Sequence, residues 1–364
     1  MTTDRLVADS LTTDGKPEEL SREAILALLK GEDDSLLFRR ADQVRARFLG
    51  DEVHLRGIIE FSNHCVQNCL YCGLRRDNDS LDRYRMTPAE IVTVAREASR
   101  LGLKTLVLQS GEDPSYTGEM LAKLIAEIKA QADVALTMSV GNRTKKDYRL
   151  MKKEGADRYL LKHETADPDL FSRLRPGTTL QDRLKRLFWL RELGYQIGAG
   201  NIVGLPRQTV KALADDILLL KELEVEMAGI GPFIPNYNTP LKGSAPGDAD
   251  MTLRVLAIAR IVLPRTHLPA TAALATVHPE GRQMALGCGA NVLMPNMTPL
   301  RYRKLYEIYP NRTGVHIVST ELVPQLVALI YRLGRKVSVD YGHSPKPEFA
   351  NGLNSQRKEV SHET

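Results

Sequence analysis

The sequence predicts an α/β fold: a (β/α)8 barrel of TIM type with an N-terminal helical extension and a C-terminal helix. Three observations predict it. Short β-branched or apolar runs lie at 53–61, 105–109, 134–140, 158–163, 196–203, 228–234, 270–274 and 290–294. Most are separated by stretches with helical apolar spacing, the pattern of parallel strands joined by crossover helices. The length, 364 residues, suits one such barrel with additions at its ends. An open doubly wound sheet is the rival arrangement of the same alternation.

In chain order, residues 1–50 form the extension. SREAILALLK at 21–30 and DSLLFRRADQVRARF at 34–48 carry apolar residues at three- and four-residue spacing. The barrel domain spans 51–335. Its clearest helix opens at Thr87-Pro88-Ala89-Glu90, a capping box with proline at the first helical position. Ile91, Val94, Ala95 and Ala98 follow as its apolar stripe. Thr178-Thr179-Leu180-Gln181 offers a second capping box, before a helix containing Leu184, Leu187 and Leu190. The last helix is expected over 321–333. Residues 336–364 form a polar tail, which from His343 onward is nearly free of aliphatics and reads as loose.

Fifty Lys+Arg against forty-five Asp+Glu leave a net charge of +5. That excess falls short of the clustered basic footprint of a nucleic-acid binder. One Trp and seven Phe supply no stacking series for single strands. The first twenty residues have no apolar signal core, and no apolar run reaches membrane-spanning length. The expectation is a cytoplasmic protein with no nucleic-acid or membrane partner.

The chemistry concentrates in Cys65-x3-Cys69-x2-Cys72, directly after the first strand. In a barrel, loops after strands build the active-site face. Three thiolates on one short loop can converge on a soft metal or an iron–sulfur cluster. Structural zinc wants four protein ligands. His64 abuts Cys65, and adjacent side chains in an extended segment diverge. A cubane held by three cysteines leaves one iron open to an outside ligand. A thioredoxin-like Cys69/Cys72 pair and a zinc knuckle with a distant fourth ligand are the other readings of the same spacing.

With aromatic Tyr71 before the third cysteine, this motif resembles the signature of radical S-adenosylmethionine (SAM) enzymes. FSNHCVQNCLYCGLRRDN, RYRMTP, VLQSGEDP, RYLLKHETADP, GAGNIVGLP and GIGPFIPNYNTPL narrow the resemblance to the HydE-type [FeFe]-hydrogenase maturases, within the outer family of biotin synthase and methylornithine synthase. The similarity runs from about residue 50 to 335. It implies one [4Fe-4S] cluster on Cys65, Cys69 and Cys72, sensitive to oxygen at its open iron. SAM would chelate that iron and be cleaved by one electron to methionine and a 5′-deoxyadenosyl radical.

The resemblance also assigns side chains. Gln109, Ser110, Gly111, Glu112 and Asp113 match the loop that receives the SAM amine. Ser139 and Glu164 match positions near SAM, the acid suiting ribose hydroxyls. Arg183 matches the partner of the methionine carboxylate. The Gly198–Gly200 and Gly204-Leu205-Pro206 backbone matches the adenine side, and Phe233-Ile234-Pro235 the apolar contact to the base. A GxG without full dinucleotide spacing gives no expectation of NAD.

Lys162 and His163 should point in opposite directions, so that one faces the interior. Lys162 stands where the family usually has arginine, losing the planar fork. Thr271, Ala272, Met294, Tyr302 and Tyr306 match the substrate cavity, with Ala272 replacing a common threonine. Many relatives carry three further cysteines near 313–324. None is present here, which implies a single cluster and weighs against biotin synthase; Cys288 is expected to be a buried small residue. The implied function is action on an organometallic iron–cysteine precursor during assembly of the hydrogenase diiron subcluster. Other maturation proteins and a ferredoxin or flavodoxin electron donor are the implied partners. A mutase or lyase of a small amino acid, and a non-catalytic cluster carrier, are the alternatives.

Overall fold

Strand β1 (Glu52–Ser62) organises the molecule, which a computed structural model describes over residues 19–31 and 34–349. Its side chains alternate. Val53, Leu55, Ile59 and Phe61 enter the apolar shell under the helices, while Arg56, Glu60 and Ser62 make polar contacts on the other face. Parallel neighbours follow as β2 (Thr105–Ser110), β3 (Ala135–Ser139), β4 (Arg158–Leu160), β5 (Gln196–Ala199) and β7 (Met227–Ala228). On its other side β1 pairs β9 (Val292–Leu293) and β10 (Lys336–Val337), again parallel. Single bridges, Met227 to His267 and Pro269 to Val292, carry the sheet from β7 round to β9. The result is a curled parallel sheet, a TIM-type partial barrel with one lightly bridged side. A short pair, β6 (Ile202–Val203) and β8 (Gly231–Pro232), extends β5 and β7 upward.

The expected strand at 270–274 does not form. Thr271 instead caps helix α10 (Ala272–Val277), accepting the Leu274 N–H, and the bridging residues lie earlier, at 267–269. Its alanines favour a helix over a pleated surface. The runs at 196–203 and 228–234 each split in two. At the first break Gly200 has φ +150°, and a Cβ there would stand 2.2 Å from the Gly229 carbonyl.

Crossover helices cover the sheet: α3 (Pro88–Arg100), α4 (Gly118–Gln131), α5 (Lys145–Lys153), α6 (Pro168–Leu174), α7 (Leu180–Glu192), α8 (Val210–Glu222) and α9 (Ala249–Val262). The Thr87–Glu90 capping box on α3 forms in both directions. The second expected box does not. Thr179 caps α7 through the Asp182 N–H, because Thr178 is engaged with the Arg175 carbonyl. Helices α1 (Arg22–Leu29) and α2 (Ser35–Leu49) are pinned outside the barrel by Arg22–Asp215 at 2.8 Å and Arg254–Asp34 at 2.7 Å. Beyond them lie α11 (Gly281–Gly287), α12 (Leu300–Arg303) and α13 (Ser319–Arg332), the last matching the expected final helix. No helix among the described residues is long and apolar enough to cross a membrane.

The C-terminal stretch is not loose where it is described. After β10 it turns in beneath the N-terminal ends of the strands. Arg56 donates to the Gly342 carbonyl at 3.0 Å, and Thr105 to that of Tyr341 at 2.8 Å. Ser344 N–H reaches Gln196 at 2.9 Å, and Ser344 is fully buried. His343 Nδ1 lies 2.9 Å from Gln196 Nε2 and 3.1 Å from an Arg158 nitrogen. This plug is polar because the lower barrel interior is polar. Residues 1–18 and 350–364, at the outer ends of the expected extension and tail, lie outside the described residues.

Candidate active site at the C-terminal ends of the strands

The loop leaving β1 carries all three clustered cysteines, and distant segments hold its shape. Leu70 N–H donates to Leu174, Gly73 N–H to Ile308, and Val66 N–H to Glu112, at 2.9, 2.9 and 3.0 Å. Arg83 donates to the carbonyls of Asn63, Leu74, Arg75 and Asn78 at 2.7–3.2 Å. Gly111 admits the loop, since a Cβ there would meet the His64 carbonyl at 2.2 Å. The Glu112 N–H points to Cys65 Sγ at 3.4 Å.

All three thiols are free. Burial pushes the Cys65 thiol up to about 11, and raises Cys69 and Cys72 as well; Cys65 and Cys72 are raised further by their neighbouring sulfurs. Mutual repulsion of thiolates is what a cationic cluster relieves. No three His, Cys, Asp or Glu side chains among the described residues close around one point as ligands of a single ion would. A cubane takes each thiolate on a different iron, and three free thiols on one braced loop are the donor set it uses.

The loop after β2 presents one acid. Gln109 donates to the Tyr306 hydroxyl at 3.2 Å, and Ser110 to its own loop at Gly111 O, 2.7 Å. Asp113 is fully buried, receiving Ser62 Oγ at 2.6 Å and both arms of Arg85 at 2.7 and 3.0 Å. Burial pulls its carboxyl upward, but Arg85, Ser62 and the Ser115 N–H outweigh that and hold it below the usual range. Asp113 therefore braces the loop rather than facing a ligand. Glu112 accepts Gln67 Nε2 at 2.7 Å and faces Arg175 and Arg183 at 3.6 and 3.9 Å. Both guanidiniums are buried, and both keep an Nε without a partner. Burial, and then the neighbouring Arg175 cation, pull Arg183 below its ordinary value. This cluster suits a ligand carrying both a carboxylate and an amine.

Beyond β4 the chain takes a left-handed residue: Glu164 has φ 67°, held by its N–H on the Gly200 carbonyl at 2.9 Å. Lys162 Nζ lies 3.7 Å from Glu164 Oε2. His163 points the other way, fully buried, with Nε2 3.4 Å from Asp216 of α8. The opposition expected of this pair is present, and Lys162 is the member beside the site. Ser139 lies half-buried in register with Gln109 at the end of β3. Ile234 is half-buried, whereas Phe233 packs with Leu170, Leu174 and Leu205 in a small apolar cluster.

On the substrate side, Tyr306 is buried with its hydroxyl on Gln109. Thr271 and Ala272 open α10, so the Thr271 hydroxyl is engaged as a cap. Met294 is half-buried and stands outside the hydrophobic core. Tyr302 departs from expectation: it donates to Glu90 of α3 at 2.8 Å and stacks on Tyr84 at 4.8 Å. Cys288 is buried, its thiol 3.5 Å from the Ala285 carbonyl.

Several residues escaped sequence reasoning. Glu60 is fully buried and receives Arg312 on both oxygens and Asn296 at 2.8 Å. A charge inside the apolar strand GIIEFS was its one local signal. Arg83 and Arg85 lie within RYRMTP, which identifies them without giving a role. Arg175, which donates to the Tyr71 hydroxyl at 2.9 Å, has no signal of its own.

Comparison with known proteins agrees with this geometry. Residues 59–220 match the Radical SAM superfamily. The chain is 50% identical over 327 residues to the [FeFe] hydrogenase maturase subunit HydE of Thermotoga maritima, covering 89% of this chain and 94% of that protein. The crystal structure of methylornithine synthase superposes with a TM-score of 0.78 at 21% identity, covering 92% of this chain and 97% of that one. The maturase HydG from Carboxydothermus hydrogenoformans does so at 0.74 and 22%, covering 91% and 78%. At those identities the two structures speak to the fold alone.

Proposed function

Because the chain belongs to the radical SAM hydrogenase maturases of the HydE family, we propose that it acts on an organometallic iron–cysteine precursor during assembly of the hydrogenase diiron subcluster. Cys65, Cys69 and Cys72 would hold a single [4Fe-4S] cluster. The observation that carries the reading is their loop, held rigidly beside a buried glutamate and two under-partnered arginines. When bound, the cluster and SAM together supply a 5′-deoxyadenosyl radical; the protein supplies position and seclusion.

Each side chain then has a task. Glu112, with the Gln109–Gly111 backbone, receives the SAM amine, and Arg183 its carboxylate. Glu164 and Ser139 approach the ribose, and Ile234 the base. Lys162, Thr271, Ala272, Met294 and Tyr306 border the substrate. An external donor of the ferredoxin or flavodoxin kind supplies the electron, and other maturation proteins exchange substrate and product. Lysine at 162 and alanine at 272, where the family usually has arginine and threonine, alter the substrate contacts and leave substrate choice open between the precursor and a second reading, a mutase or lyase of a small amino acid.

The test is 5′-deoxyadenosine formation by anaerobically reconstituted, reduced protein given SAM, with Cys69→Ala as control. The wild type forms product with the iron–cysteine precursor, and the variant forms none. Stimulation by small amino acids instead of the precursor would favour the second reading. A fully loaded, reduced protein that neither binds nor cleaves SAM would leave a cluster carrier.

A further inference from the structure

Arg175 and Arg183 are short of hydrogen-bond partners. Both buried guanidiniums face Glu112, at 3.6 and 3.9 Å, too far for good hydrogen bonds, and both also feel the charge of nearby Glu164. Glu112 already accepts Gln67 at 2.7 Å. Each arginine also keeps a buried Nε without a partner. A guanidinium has five donors, and leaving them dry in a protein interior is costly unless an acceptor arrives. Tyr71 takes one Arg175 donor at 2.9 Å, and the Phe171 ring lies 5.7 Å from its centre. Those contacts fix where Arg175 stands but leave its buried Nε without a hydrogen-bond acceptor, although Glu164 and Glu112 both favour its charge.

We infer that Arg175 is a second carboxylate-binding residue, completing with Arg183 a two-guanidinium seat for the methionine carboxylate of SAM. This rests on the proposed radical SAM reading and extends it to a residue that neither sequence nor family motif marks. The Leu70–Leu174 backbone bond and the Tyr71–Arg175 contact join the end of α6 to the cysteine loop. The same guanidinium therefore couples the carboxylate seat to the segment between Cys69 and Cys72.

The test is anaerobic binding to the cluster-loaded, unreduced protein, comparing SAM with its decarboxylated form by calorimetry. Iron content and circular dichroism check each variant. Arg175→Gln weakens SAM roughly tenfold or more, the expected loss of a charge-assisted contact, and leaves the decarboxylated nucleoside unchanged. Arg175→Lys, which keeps charge without the fork, recovers part of that loss, and carries the comparison if the glutamine variant fails to load iron. Tyr71→Phe keeps the guanidinium and so keeps the discrimination between the two ligands. Equal weakening of both ligands would overturn the proposal, leaving Arg175 as a brace for the cysteine loop. No weakening of either would overturn it as well. If the loaded wild type binds neither nucleoside, the radical SAM reading itself fails, a result distinct from both.

Discussion

Arg83 shows how one side chain can shape a ligand loop. Its guanidinium meets four carbonyls between Asn63 and Asn78, so the thiols are positioned before any iron arrives. Arg83→Met should destabilise the apoprotein by about 2 kcal/mol, as loss of charged hydrogen bonds predicts. It should also slow iron uptake. Urea unfolding and timed iron incorporation would check both, and an unchanged uptake rate would remove Arg83 from the assembly of the site. At this scale the sequence was legible where chemistry alone restricts residue type. Three cysteines on one loop have few uses, and Gly111 stands where the backbones of two loops meet. It was not legible where meaning lies in a distant partner. Glu60 and Arg312 are 252 positions apart, and Arg175 is recognised only beside Glu112 and Arg183.

Local signals were readable when they closed within one turn. Thr87 and Glu90 cap α3 reciprocally, and Glu90 also takes Tyr302 and Arg301. Chiefly the Thr87 N–H, opposed by burial and aided by Tyr302 and Arg301, brings the Glu90 carboxyl down to about 2. A carboxyl lowered on folding adds stability above its unfolded value near 4.3, and that part disappears as pH falls toward 2. Glu90→Gln should therefore lower stability by about 1 kcal/mol near neutrality and converge with the wild type at about pH 2, measured by denaturant midpoints across pH. A constant gap would assign the effect to packing. Elements were misread where neighbours decide. Residues 270–274 look like a strand in isolation, yet Thr271 serves as a cap, and the pairing edge is satisfied by residues 267–269.

For the whole molecule, βα alternation made the barrel legible, whereas the plug was hidden because polar residues complement a polar interior. His54 and His343 are both pushed down to about 4, first by burial and then by Arg56 at His54 and Arg158 at His343. Histidines held neutral by folding favour the native state above about pH 6.5, and that advantage is lost as pH falls toward 4. Protection factors of the amides at 338–344, corrected for the intrinsic pH dependence of exchange, should therefore fall over that interval, ahead of those in the strands. His343→Gln should flatten the dependence; unchanged protection in the wild type would count against the plug as the acid-labile part. The long-range ties of the cysteine loop carry a consequence for the order in which the protein is made. Asn63 is bonded to Leu305 and Gly73 to Ile308. A nascent chain folds from its N-terminus as it leaves the ribosome, and these partners do not exist until most of the message has been read. The loop that receives iron is thus synthesised early but cannot take its final form until residues 305–308 have emerged, which places metal delivery late in synthesis or after it.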